Sequence, residues 1–111
     1  MQDTTSNPMR LSFPTDRLIL EELAKGRNTG ATISEQIDRH RTYVNSRMAQ
    51  LHDYGLTKKI GDSGVYELTE RGAAVIAVAD RYDEVDDFEA LVDEVAERVS
   101  ISPFSYEIVD E

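Results

Sequence analysis

The spacing of the apolar side chains changes at Gly55, and that change restricts what the chain can become. Before it, Val44, Met48 and Leu51 recur at intervals of four and three, one stripe on a helix of about 41–54. After it, Leu56, Lys58 and Ile60, then Val65, Tyr66 and Leu68, flank Gly61-Asp62-Ser63-Gly64 in the manner of two short strands and their turn. Gly55 suits the left-handed residue that closes a helix. Upstream, Thr32-Ile33-Ser34-Glu35 reads as a capping box that opens a short helix, with Ile33 and Ile37 as its apolar face.

Away from its stripe, the 41–54 helix is polar and cationic. Arg41, Thr42, Tyr43, Asn45, Ser46 and Arg47 carry hydrogen-bonding or charged groups, and Arg39 and His40 precede them. From 39 to 59 there are five Arg or Lys (39, 41, 47, 58 and 59) against one carboxylate, Asp53, in a chain of net charge −10. A polar face alone implies only solvent. Joined to the reversed local charge and the hairpin, it predicts a helix-turn-helix whose second helix enters the major groove of DNA. Residues near the start of such a helix reach base edges, which selects Arg41, Thr42, Asn45 and Ser46. Arginine pairs bidentately with guanine and asparagine with adenine. Arg39, His40, Arg47, Lys58 and Lys59 are expected on phosphates, which position without specifying. Tyr43 is expected either on a sugar or in the core. The hairpin is then a wing.

The run ISEQI…YVNSRMAQLHDYGLTKKIGDSGVYELTERG resembles winged helix-turn-helix regulators, in particular small haloarchaeal proteins of the phi-H phage repressor-like family. YGL before the hairpin, YELTERG after it and Tyr43-Val44 at the start of the second helix carry the likeness, over roughly residues 14–82. The resemblance implies a winged helix-turn-helix fold and a DNA-binding repressor that blocks polymerase. Such motifs specify a fold better than a target, since one fold serves many functions.

At 111 residues one domain with one modest core is expected. No apolar run has the length of a membrane span and no apolar signal segment opens the chain, so a cytoplasmic location is expected. Without cysteine there is no disulfide, thiol nucleophile or Cys-ligated zinc. His40 and His52 form no HExxH pair, and His52 fits a cation at a helix end. No serine stands near a plausible base, and no glycine-rich phosphate loop is present. The expectation is therefore of no catalytic residue, metal, cofactor or small-molecule ligand, and no enzyme.

Residues 80–111 hold twelve Asp or Glu against two Arg, whereas residues 1–79 balance. Three Lys, nine Arg and this acid excess resemble a halophile's composition. High salt would weaken binding driven by counterion release, leaving more of the recognition to base contacts and shape.

The remainder supports the central stretch. Residues 1–11 are expected to be a mobile arm, within which Arg10 could touch a neighbouring groove. Residues 12–82 form the winged helix-turn-helix domain. Its first helix runs from the Pro14-Thr15-Asp16 cluster to about Lys25, with Leu18, Ile19 and Leu23 for burial; Gly26, Asn28 and Gly30 end it. Residues 29–32 could add a third strand to the hairpin. Thr69 caps a fourth helix, Glu70 to Tyr82, in which Gly72 would pack closely on the hairpin. Residues 83–111 form an acidic helix and tail. That helix, about Asp86 to Val99, carries Phe88, Val92, Val95 and Val99 at spacings of four, three and four. Two readings compete for this stripe. It folds back on its own domain, or, with Val78 and Tyr82, it forms a homodimer seam, which the surplus apolar surface of the fourth helix favours. Phe104, Tyr106 and Ile108 alternate and could form an edge strand.

The fold expected is thus mainly α with a small β-hairpin wing (α+β) and an extra C-terminal helix. The function expected is sequence-specific binding of double-stranded DNA by a transcriptional regulator, acting as a homodimer on a near-palindrome. The chief alternative is an interaction module that docks a basic protein on the acidic helix; a DNA mimic is a third reading.

Overall fold

The structure is a computed structural model that describes residues 9–102 and 105–109. Among these, five α-helices and two small antiparallel sheets form an α+β fold around one core. In order they are α1 (Thr15–Ala24), β1 (Asn28–Thr29), α2 (Gly30–Gln36), α3 (Arg41–Asp53), β2 (Thr57–Ile60), β3 (Val65–Leu68), α4 (Glu70–Val78), a turn of 3₁₀-helix (Ala79–Arg81), α5 (Phe88–Ala96), β4 (Val99–Ser102) and β5 (Ser105–Ile108).

The expected stripe of α3 is buried: Val44, Met48 and Leu51 are almost wholly covered, in a cluster that includes Ile19, Leu20, Ile33, Leu56 and Val75. Gly55 follows with φ of 80° and turns the chain into the hairpin. β2 pairs with β3 in register Thr57↔Leu68 to Ile60↔Val65, and β1 joins the other edge of β3 as the third strand.

The opening of α2 differs from the expected capping box. Thr29, not Thr32, is the cap: its Oγ1 accepts from the Thr32 N–H at 3.2 Å, and Gly30 is the first helical residue. Pairing decides between the two threonines, because Thr29 is held extended opposite Val65, which points it over the helix end. At the other end of α2, Asp38 takes φ of 57°. The Arg39 N–H then bonds the Ser34 carbonyl at 3.0 Å, the six-to-one bond of a Schellman turn with aspartate where glycine is usual. That turn sets α3 against α2.

α4 is capped as expected, with Thr69 Oγ1 accepting from the Gly72 N–H at 3.1 Å, but its α-helical part stops at Val78. Its small residues Gly72, Ala73 and Ala74 are fully buried. The surplus apolar surface of α4 is covered by α5 of the same chain, so the expected dimer seam is an intramolecular core. Phe88, Val92, Val95 and Val99 are all buried there, Val99 in β4 beyond the end of α5. Val78 is half-buried, and the Tyr82 ring stands edge-on to Phe13 and Phe88 at 5.3 and 5.0 Å.

Both termini also depart from expectation. Residues 9–11 are docked: Met9 and Leu11 are buried, and the Leu11 N–H donates to the Tyr82 hydroxyl at 3.1 Å. Residues 1–8 lie outside the described part. Tyr106 and Ile108 do form a strand, but it pairs with β4 as a separate sheet; Phe104 lies outside the described residues.

Gly72 carries a test of this packing. A Cβ there would lie 2.1 Å from the Leu56 carbonyl oxygen and 2.7 Å from Leu68 Cδ1. Gly72→Ala is expected to cost about 1–3 kcal/mol in chemical denaturation despite alanine's better helix propensity.

Candidate nucleic-acid interface

Burial of Val44, Met48 and Leu51 leaves a defined outer surface on α3. Thr42, Ser46 and Ala49, spaced four and three, follow its crest and are exposed. Arg41 and Asn45 are exposed on one shoulder, and Tyr43, 42% exposed, stands on the other, outside the core. The crest is small and polar, so a groove wall could approach the helix closely. Ala49 was not expected in this set, because it has no polar group to mark it.

Asn45 is positioned by a glycine on α2. A Cβ on Gly30 would fall 2.1 Å from Asn45 Oδ1, so only glycine leaves that amide its place. His40 caps α3, its Nδ1 accepting from the Thr42 N–H at 3.2 Å. With Nδ1 taken up by that bond, Nε2 is the ring nitrogen left to meet a phosphate. His52 lies in the last turn, and its Nδ1 is 3.2 Å from the Thr57 carbonyl, tying α3 to β2.

Arg47 departs from the expected phosphate set. Its guanidinium turns inward and grips Asp16 of α1 with two bonds, Nε to Oδ1 at 2.9 Å and Nη2 to Oδ2 at 2.8 Å. The Asp16 side chain is 0% exposed and that of Arg47 16%. The bond to Asp16 outweighs burial and raises the Arg47 pKa above its ordinary value, so the charge is held at any working pH. Asp16 also accepts the Ser12 N–H at 2.7 Å. Sequence reasoning placed Arg47 on phosphate because nothing in the linear pattern shows that Asp16, near the start of α1, lies beneath α3.

Arg39 is exposed and donates to the carbonyls of Ile37 and Asp38 in the turn. Lys58 is 63% exposed with Glu67 Oε1 at 3.6 Å, a contact too solvated to hold it firmly. Lys59 is exposed, its Nζ 6.0 Å from the Tyr66 ring centre. Carboxylates are not absent from this side: Asp38, Asp53 and Asp62 are exposed.

The acidic helix stands at the far end of α3. Arg71 of α4 bonds Glu89 and Asp93 of α5, each at 2.9 Å, and also donates to the Tyr54 carbonyl where α3 ends. Burial opposes the Arg71 charge, yet the bonds to Asp93 and Glu89 prevail and its pKa is raised. The start of α3, with Arg39 and Arg41, is about 18 Å away by helix rise, so the acid surface does not cover it.

Among the described residues no three His, Asp or Glu gather as a metal-binding group, and no helix is long and apolar enough to cross a membrane. No family model, curated protein or solved structure matches this chain.

Two substitutions separate support from contact. Arg47→Met leaves Asp16 buried without a counter-charge and is expected to cost about 3 kcal/mol or more in denaturation, with Asp16→Leu/Arg47→Met recovering part of it. Gly30→Ala displaces the Asn45 amide and crowds the Sδ of buried Met48, 3.2 Å from the added Cβ, so about 1 kcal/mol of stability should be lost while Asn45 loses its set position. A base preference that depends on Asn45 should relax in that variant, as read by competition among single-base variants of a bound duplex.

Proposed function

We propose that this protein is a winged helix-turn-helix regulator that binds double-stranded DNA in a sequence-specific way, with α3 in the major groove and the β2–β3 hairpin as the wing. The element order supports this: a helix, a short strand, two helices joined by a tight turn, then a hairpin whose sheet includes the first strand. The observation that carries it is electrostatic. Among the described residues Arg10, Arg39, Arg41 and Lys59 form no ion pair, although carboxylates outnumber cations 22 to 12 in the chain. Arg39 and Arg41 flank the start of α3, Arg10 is bonded to its side, and Lys59 is on the adjoining strand. Cations left unpaired amid surplus acid suit a polyanionic partner.

Arg41, Thr42, Asn45 and Ser46 are the proposed base-reading set, with Ala49 admitting the groove wall. Arg39, His40, Lys58 and Lys59 are the proposed phosphate set. Repression by occlusion of polymerase is what the family resemblance suggests. Two copies on a near-palindrome fit the same resemblance, with pairing through a surface other than the α5 stripe.

Mapping of protein-bound genomic fragments at native salt tests the reading, since a symmetric motif would define both target and pairing. On such a fragment Arg41→Ala and Asn45→Ala should each weaken specific binding by about 5- to 150-fold, the equivalent of 1–3 kcal/mol, with unchanged thermal midpoints. Unchanged DNA binding with a basic protein partner still held would favour the interaction-module alternative.

A further inference from the structure

Residues 9–11 lie beside α3 with alternating burial, Met9 and Leu11 inward and Arg10 outward. Both backbone groups of Arg10 are gripped by side chains from one flank of α3. Its N–H donates to the Tyr54 hydroxyl at 3.0 Å. Its carbonyl accepts from Arg47 Nη2 at 3.2 Å and from the Tyr54 hydroxyl at 3.3 Å. Arg47 is itself fixed by buried Asp16. The Arg10 backbone is therefore set relative to α3 by a chain of bonds that ends in the core.

Resting on the DNA-binding reading above, we propose that Arg10 is a phosphate-contacting residue of the interface, and that Arg47 and Tyr54 are positioning residues that hold it there. The flanks of a helix lying in a groove meet the phosphates of the groove walls. The flank that holds Arg10 is the α1 side of α3; β2, with Lys59, adjoins the other flank, where His52 bonds Thr57. The two cations thus bracket the helix. On the α1 side Arg10 supplies the charge that Arg47, bound to Asp16, withholds. Bonds made to the Arg10 backbone alone, with the guanidinium exposed and free of any ion pair among the described residues, are what a presented cation requires.

A phosphate contact is independent of sequence, so a random-sequence DNA duplex is a sufficient probe for the full chain. Its affinity is measured across a fourfold rise in salt. Loss of one phosphate contact lowers the slope of log affinity on log salt by about 0.9. Over that range the wild-type affinity should thus fall about three- to fourfold more than that of Arg10→Ala. Arg10→Lys should keep the wild-type slope. Tyr54→Phe, which removes two of the three bonds to the Arg10 backbone, should lower it part of the way. The thermal midpoint of Arg10→Ala should match the wild type, whereas a purely structural Arg10 would lower it and leave the slope alone. An unchanged slope in Arg10→Ala, with the wild type binding duplex, overturns this proposal and leaves the groove reading standing. A wild type that binds no duplex at any salt overturns both.

Discussion

A carboxylate with no exposed surface has to be compensated, and the pairing of Asp16 with Arg47 is the constraint around which the rest is arranged. Removing both charges from water costs several kcal/mol per ion, which only close two-point geometry and further bonds can offset. Both are present, with the Ser12 amide donating to Asp16 and the Arg10 carbonyl accepting from Arg47 as further bonds. The pair welds α1 to the flank of α3 and fixes how α3 is rotated. It also draws the N-terminal segment onto the same flank. An arginine that composition marks as a surface cation is thereby made part of the scaffold.

The acidic C-terminal third is governed by a second arginine. Arg71 reaches from α4 to two carboxylates of α5 and to the carbonyl of Tyr54, the residue that caps α3, so helices distant in sequence meet at one guanidinium. The apolar side of α5 then covers α4, and its acidic side is turned to solvent at the end of α3 remote from Arg39 and Arg41. Charge is segregated in part, since Asp38, Asp53 and Asp62 stay exposed on the α3 side. A segregated surface directs a polyanion to one face and repels it from the other. In high salt this steering is short-ranged, and close fit along the Thr42, Ser46 and Ala49 crest would matter correspondingly more.

Features with a local cause are legible in the linear order of residues. The α3 stripe, the Gly55 stop, the hairpin and the Thr69 cap depend on residues a few positions apart, and each is found where its pattern places it. The exposed members of the α3 surface follow from the same period: once Val44 and Met48 face inward, Thr42 and Ser46 face out. Linear pattern misleads where two local solutions are equally good. Thr29 and Thr32 are both competent caps, and strand pairing chose the first.

The amino-acid order by itself determined the helices and hairpin of the central stretch, their apolar faces and the local excess of positive charge, because propensity, capping and periodicity act over a turn or two of chain. Tertiary structure decided which cations are available and which are bound inward, and whether the α5 stripe meets its own chain or another. Those outcomes depend on pairs such as Asp16 and Arg47, or α4 and α5, that only folding brings within a few ångströms. Desolvation and contact energies exist at that range alone, and no spacing along the chain encodes them.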